Sequence, residues 1–437
     1  MRNPIYSELQ SRGILYQVTD ESLNGHLEKS PATLYCGFDP TSDSLHVGSL
    51  FPLLTLRRFQ MAGHRPIIVL GGATGMVGDP SGKSQERNLQ TPEQVARNLA
   101  GIRKVAETFL DFTPGSDHAA LIVDNSEFYR DMNVLTFLRE VGKHFTVNHM
   151  TQKDSVRSRM EDRDHGISYT EFSYMLLQAY DFYCLHERYG CTLQIGASDQ
   201  WGNITAGTEL IRKKLAHGEA TSPDSPLPAF GLTHPLITRP DGVKFGKTEK
   251  GAVWLSPEKT SPYQFYQFFI QSPDSVVITW LKYLTFLPLE QIETLSGQLE
   301  REPEKKAAQT ALARELTRLV HGEEALQRAE AATRALFGAE LKDLDLVTLH
   351  ELFADAPATE LSRERIMAGL PLVDLLAESG LFQSKGAARK EIPAGGVYLN
   401  NERITDVSFT VQTTNLIAGS ALVLRKGKKN YHLLKFI

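Results

Sequence analysis

Residues 33–71, TLYCGFDPTSDSLHVGSLFPLLTLRRFQMAGHRPIIVLG, decide the fold class. Thr33 to Phe38 is a short run of strand-forming residues that ends in a polar turn, and the stretch from about Ser44 to Ala62 then has helical spacing of its apolar residues. Pro66 to Gly71 is continuously apolar, as strands are when helices cover both faces of a parallel sheet. The pattern repeats downstream. Thr91 to Gln94 forms a capping box ahead of a helix carrying Val95, Leu99, Ile102, Val105 and Phe109, and apolar runs at Ala119–Val123 and Thr192–Gly196 supply a third and a fourth strand. Alternation of this kind implies an α/β fold whose ligands bind beyond the carboxyl ends of parallel strands.

The chain of 437 residues spans roughly three typical domain lengths. At 41% hydrophobic and 23% charged residues, it is neither disordered nor fibrous. Beyond about Ser256 the strand-like runs stop, and Glu302 to Phe337, rich in Ala, Glu, Arg and Leu, reads as packed helices. An acidic, weakly periodic stretch at 338–368 reads as a linker. The tail carries two short helices, Leu372–Ser379 and Ser384–Glu391, then Gly395 and Gly396 and the β-type segments Val397–Leu399 and Ala421–Leu424. We therefore expect domains at 1–235, 236–337 and 369–437. Net charge is −5, but the tail from Gly369 holds nine Lys and Arg against five acids, so it stands at +4 and the remainder at −9. A basic appendage on an acidic body suits a polyanionic partner. Three cysteines without paired CxxC spacing argue against a disulfide framework or a structural metal site, and no apolar run approaches about 18 residues. A cytoplasmic protein without a membrane span is the expectation.

Five stretches carry chemistry. In YCGFDPTSDSLHVGS (35–49) a helix begins where the first strand ends; its unpaired N–H groups attract phosphate, Thr41 and His46 add hydrogen bonds, and Gly48 lets a flat base approach. A capped, solvent-facing helix start would read the same way. GGATGMVGDPSGK (71–83) falls short of a P-loop because Val77 stands where glycine is required; what remains is a glycine-rich loop presenting Asp79, Lys83 and Arg87. In SYMLLQAYDFYC (173–184) Tyr174, Gln178 and Asp181 share one helix face, which fits either a small polar ligand or a solvated stripe. LQIGASDQWGN (193–203) is a strand running into a turn that offers Gly196, Asp199 and Gln200. DGVKFGKT (241–248) sets Lys244 and Lys247 among glycines, as a phosphate-clamping loop or a plain basic hairpin.

In this order the five stretches resemble the bacterial type of tyrosyl-tRNA synthetase, a class I aminoacyl-tRNA synthetase, over essentially the whole chain. His46 to Ser49 is similar to the family's HIGH signature and Lys244 to Thr248 to its KMSKS signature. The resemblance implies a Rossmann-like parallel-sheet catalytic domain with a dimerisation insertion near 125–160, an α-helical domain and a small α+β RNA-binding C-terminal domain. It implies that Tyr35 and Asp181 bond a phenolic hydroxyl, that Asp79, Tyr174 and Gln178 hold an α-ammonium group, and that Gly37, Asp39, Asp199 and Gln200 contact amino acid or adenylate. Cys36, with Gly48, Ser49 and Gly196, would meet the nucleoside of ATP. Thr41 and His46 would meet its phosphates, while Lys83, Arg87, Lys244, Lys247 and Thr248 would clamp the leaving pyrophosphate. Ser49 departs from the signature's last histidine, and Ala197 from a frequent glycine.

ATP accompanied by Mg²⁺, L-tyrosine and tRNA(Tyr) are the implied partners, with no tightly bound cofactor, and a homodimer the implied assembly. Asn133 to Val147, with Val134, Leu135, Phe137, Leu138, Val141 and Phe145, is the candidate interface helix, although core packing would explain it equally. SKGAARKEIPAGGVYLNNERI (384–404) resembles a small RNA-binding domain found in a ribosomal protein, in which Lys385, Arg389 and Lys390, joined by Lys426, Lys428 and Lys429, would face RNA phosphates. The rival readings are a tryptophanyl-tRNA synthetase and a catalytically dead relative that only binds RNA. A hydroxyl-directed Tyr35 and Asp181 speak against the first, and the lysines of KFGKT against the second.

Overall fold

The four apolar runs at 33–38, 66–71, 119–123 and 192–196 become strands of one six-stranded sheet. The computed structural model describes residues 4–81, 90–161, 166–216, 227–238, 245–248, 251–336, 341–342, 344–354, 356–427 and 430–437. The strands are β1 (Gln17–Val18), β2 (Thr33–Phe38), β3 (Arg65–Leu70), β4 (Leu121–Asp124), β5 (Cys191–Ala197) and β6 (Phe230–His234), in the order β1-β6-β5-β2-β3-β4. Neighbours are parallel except β1 with β6. Sequence reading missed β6. Its five residues are all buried, so it shows no alternation, and it is too short to stand out. The chain steps from β2 to β3 to β4 on one side, then from β5 to β6 on the other. Connections thus reverse between β2 and β5, where a crevice opens at the carboxyl ends.

Helices are placed by their caps. His46 caps a short 3-10 turn, Val47–Ser49, through Nδ1, which accepts from the Gly48 N–H at 2.9 Å, so the α-helix proper, Leu50–Met61, starts later than the expected Ser44. It is buried on most sides, through Leu50, Phe51, Leu53, Leu54, Leu56 and Phe59. The helix Pro92–Ala106 keeps half of the expected capping box, Thr91 Oγ1 accepting from the Gln94 N–H, while the Gln94 side chain turns to Asn98 and Arg97. Tyr169–Tyr189 begins on a Ser168 cap and ends at Gly190, whose φ of 61° suits a residue without Cβ. The expected interface helix is broken: Val134–Glu140 is followed by a 3-10 turn at Gly142–His144. Val134 and Leu135 are each 69% exposed, whereas Val141 is fully buried, so this segment serves surface and core at once.

Contacts divide the chain into two compact units, Met1–Thr260 with Ile270–Leu312, and Ser261–Phe269 with Ala313–Ile437. The first also holds a hairpin of β7 (Lys247–Thr248) and β8 (Gly251–Ala252). In the second, β9 (Ala358–Leu361), β11 (Val397–Leu399), β12 (Glu402–Arg403), β14 (Ala421–Lys426) and β15 (Asn430–Phe436) form a sheet ordered β12-β11-β14-β15-β9, while β10 (Leu370–Pro371) pairs with β13 (Thr410–Val411).

The stretch expected as a linker is built into this second unit. Leu341, Leu344, Leu349 and Phe353 are buried with Ala332, Ala335, Ile417, Val423 and Leu433, and β9 adds an edge strand to β15. Its apolar residues serve three short elements, the helix Leu346–Leu352, β9 and the helix Arg363–Met367, rather than one long one, which erased any readable period. Leu349→Ala should therefore lower the stability of this unit by about 2–5 kcal/mol in urea unfolding; a linker residue would show no measurable change.

Candidate active site

The reversal between β2 and β5 opens a cavity of about 320 Å³. β2 supplies Tyr35, Cys36 and Gly37, and the turn after it supplies Asp39, Thr41, His46, Gly48 and Ser49. The glycine-rich loop adds Thr74 and Asp79, the helix Tyr169–Tyr189 adds Tyr174, Gln178 and Asp181, and β5 with its following turn adds Gln194, Gly196 and Gln200. Four of the five stretches thus meet around one space. Asp199 lies in the adjoining 3-10 turn, Ser198–Gln200. Lys83, Arg87 and Lys244 lie outside the described residues, and only the backbone of Lys247 and Thr248 is described.

The fifth stretch reaches the first through backbone. Val47 N–H donates to the Val253 carbonyl at 2.9 Å, Val253 N–H to the Gly246 carbonyl at 2.9 Å, and Leu255 N–H to the Leu45 carbonyl at 2.8 Å. Two glycines make this approach feasible. A Cβ on Gly246, whose φ is +86°, would stand 2.6 Å from Val47 Cγ2, and one on Gly48 would stand 2.5 Å from the His46 ring and 3.3 Å from the Phe245 carbonyl oxygen. The missing Cβ of Gly48 is thus used by this joint, and Gly48 also lines the cavity. Phe245 anchors it against Trp280 at 4.6 Å.

Asp181 is the most constrained group in the cavity wall. Asn125 Nδ2 donates to its Oδ2 at 2.8 Å, and the Tyr129 hydroxyl lies 2.7 Å from its Oδ1. That hydroxyl also donates to the Leu177 carbonyl at 2.8 Å, so one phenolic hydrogen faces two acceptors. Burial pushes the Asp181 carboxyl up to about 7 despite both hydrogen bonds, and the charges of Asp39 and Asp124 add to the rise. A protonated carboxyl would relieve the crowding by donating to Tyr129. Tyr35, 1% exposed, has a hydroxyl with no partner, and burial followed by the Asp181 charge holds it well above the usual phenol range.

Nearer the mouth the cavity is anionic. Asp39 accepts from Thr74 Oγ1 at 2.8 Å and from the Tyr174 hydroxyl at 3.1 Å. Asp79 accepts from Gln200 Nε2 at 2.7 Å and from the Ser81 N–H at 2.9 Å. Burial first, then the charges of Asp39, Asp79 and Asp181, drive the Tyr174 hydroxyl far above its ordinary range. Three carboxyl groups around one small space favour a cationic ligand group. Cys36 is buried, its thiol pushed up to about 12 by desolvation, and is therefore a poor nucleophile.

Sequence reading passed over Thr74, Asn125, Tyr129, Gln194 and His234. Asn125 was within reach, because it directly follows β4 on the active edge of the sheet; Tyr129 was not, because it touches the site only through Asp181. In the second unit, Arg389 and Lys390 are exposed on the helix Lys385–Ala394, Lys385 pairs with Asp374 at 2.9 Å, and Lys426 lies over the Phe382 ring at 4.4 Å. Lys428 and Lys429 lie outside the described residues.

The raised carboxyl sets a pH dependence. Folded Asp181 keeps its proton to about 7, whereas the ordinary value is 3.8, so burial of this group costs stability increasingly from about pH 4 to 7 and fully above. Asn fits the same partners, donating to Tyr129 while Tyr129 donates to Leu177. Asp181→Asn should leave the urea midpoint unchanged near pH 4 and raise it near pH 8, by up to a few kcal/mol; an equal difference at both pH values would refute the buried-carboxyl assignment.

Comparison with known proteins agrees with this geometry. Residues 27–338 match the family described as tRNA synthetases class I (W and Y), and residues 348–434 match the tyrosine–tRNA ligase SYY-like C-terminal domain. A tyrosine–tRNA ligase of Opitutus terrae is 52% identical over 435 residues, covering 99% of this chain and all of that protein, and one of Geobacillus stearothermophilus is 51% identical over 433 residues, covering 99% of each. A C-terminally truncated mitochondrial tyrosyl-tRNA synthetase of Aspergillus nidulans superposes with a TM-score of 0.68 at 30% identity, over 77% of this chain and 95% of that one. The chain belongs to the tyrosine–tRNA ligase family of class I tRNA synthetases.

Proposed function

We propose that the chain activates L-tyrosine with ATP, forming tyrosyl-adenylate and pyrophosphate, and then transfers the tyrosyl group to the 3′-terminal ribose of tRNA(Tyr). The observation that carries the amino-acid choice is the unpartnered Tyr35 hydroxyl, buried within electrostatic reach of Asp181. A substrate phenol between them accepts from Tyr35 and donates to Asp181, answering both. Phenylalanine would leave the Tyr35 hydroxyl unpaired and bring Asp181 no donor beyond Asn125 and Tyr129, and tryptophan has no hydroxyl to offer. Asp79, Tyr174 and Gln178 receive the α-ammonium in the anionic mouth. Gly37, Asp39, Asp199 and Gln200 hold the rest of the amino acid and adenylate, and Cys36, Gly48, Ser49 and Gly196 flank the nucleoside.

The chemistry needs no covalent enzyme intermediate. The tyrosine carboxylate attacks the α-phosphorus, the bond to the bridging oxygen breaks, and pyrophosphate leaves with its electrons. Positioning and charge stabilisation are what the protein supplies. Thr41 and His46 face the phosphates, and Lys83, Arg87, Lys244, Lys247 and Thr248 oppose the charge that grows on the leaving group. Mg²⁺ arrives on the triphosphate as part of the substrate; among the described residues no group of three His, Cys, Asp or Glu stands ready to hold a metal ion. In the second step a terminal ribose hydroxyl attacks the tyrosyl carbonyl and AMP departs.

Arg389 and Lys390, with Lys385, Lys426, Lys428 and Lys429, bind the tRNA backbone in this reading, supported by the +4 charge of the tail. The exposed Val134, Leu135, Leu138 and Val147 form the contact of a homodimer. Charging of tRNA places the protein in the cytoplasm; among the described residues no helix is long and apolar enough to cross a membrane.

Two measurements test the proposal. Pyrophosphate exchange into ATP should depend on tyrosine and stay at background with tryptophan or phenylalanine; exchange driven by tryptophan would overturn it. Replacing Arg389 and Lys390 together by alanine should weaken tRNA binding and flatten its log–log salt dependence by roughly one to two units of slope, while tyrosine activation is retained. An unchanged slope would remove these residues from the RNA contact.

A further inference from the structure

His234 ends β6 and has no part in the roles above. The strand register sets it beside Ala197 of β5, with Thr233 beside Gly196, and it lines the same cavity as Ser49 and Pro52. Its ring is fixed twice. One face lies 4.1 Å from the ring of Phe51, which itself stacks on Tyr283 at 5.0 Å, and Nδ1 lies 3.0 Å from the Pro235 carbonyl oxygen. A carbonyl oxygen only accepts, so Nδ1 carries the hydrogen, and a neutral ring then presents Nε2 as a bare acceptor. Nε2 is buried and has no hydrogen-bond partner among the described residues. Natural structures rarely leave such an atom without a hydrogen-bond partner, and one that faces a cavity calls for an explanation.

The place of His234 says which part of the ligand. Phe51 follows Gly48 by three residues and Ser49 by two, and Gly196 sits at the neighbouring register position. The phenol pocket is made instead by Tyr35, Asn125 and Asp181. Resting on the function proposed above, we infer that His234 Nε2 accepts a hydrogen bond from a donor on the nucleoside of ATP, either a ribose hydroxyl or the exocyclic amine of adenine. His234 is thereby a nucleotide-specificity residue, and it takes up part of the hydrogen bonding that the short Ser49 side chain cannot reach. Burial pushes the imidazole down to about 4, so the ring stays neutral and accepting at ordinary pH.

The full-length protein, assayed by tyrosine-dependent pyrophosphate exchange, decides the matter with four probes: ATP, purine riboside triphosphate, 2′-deoxy-ATP and 3′-deoxy-ATP. His234→Phe keeps an aromatic ring against Phe51 and removes the acceptor. It should lower kcat/KM for ATP about five- to tenfold with the KM for tyrosine unchanged, and His234→Gln, which restores an acceptor, should recover part of the loss. One analogue should be used poorly by the parent protein yet equally well by the parent and His234→Phe; that analogue identifies the donor. Equal losses with all four probes would mean that His234 only packs the wall, and no loss with ATP would mean that it does not touch the nucleoside; either result overturns the inference. Failure of the parent protein to exchange with tyrosine at all would instead sink the functional reading beneath it.

Discussion

A carboxyl group buried behind Tyr35 is the constraint on which the rest of the site depends. Asp181 cannot be carried in isolation, because an ionised carboxylate without partners costs far more than folding can offset. Its two donors come from different places, Asn125 from the end of β4 and Tyr129 from the short helix Ser126–Tyr129. Holding all three in register requires β4 to lie at the sheet edge and the helix Tyr169–Tyr189 to run unbroken across the crevice. The Ser168 cap and the Gly190 stop fix that helix at both ends. The buried carboxyl thus ties the end of β4 and the short helix after it to the helix Tyr169–Tyr189.

A second constraint joins the opposite end. The turn 45–48 and the segment 246–255 are held together by main-chain hydrogen bonds, and the closeness of Gly48 and Gly246 leaves no room for side chains. The two segments are thus fixed to each other through main chain, without the entropy cost of ordering long side chains at every contact. Lys259 strengthens the neighbourhood, paired with Asp43 and lying 4.7 Å from the Trp254 ring centre.

Much of this was legible from residue order. The apolar runs gave four of the parallel strands because buried strands are continuously apolar, and Tyr174, Gln178 and Asp181 were recognisable as one face because helical spacing is strict. What escaped had a physical reason in each case. β6 is short and wholly buried, so no alternation marks it. The stretch 341–353 buries Leu341 and Leu344 from irregular chain and Leu349 from one short helix, Leu346–Leu352, so it imitates a linker. His234 carries no motif; only the missing partner of Nε2 exposes it, and partners are not written in a sequence. The second use of Gly48, leaving room for the His46 ring and the Phe245 carbonyl, was equally unreadable, because it depends on a segment distant in the chain.

The central claim is that Asp181 is a buried, proton-retaining carboxyl poised for a phenolic donor. A carbon-detected NMR titration of the aspartate side chains tests it most directly. The account predicts one carboxyl resonance with a midpoint near 7, absent from the Asp181→Asn protein and displaced when tyrosine is added. A midpoint in the ordinary aspartate range for that resonance, or indifference to tyrosine, would contradict it.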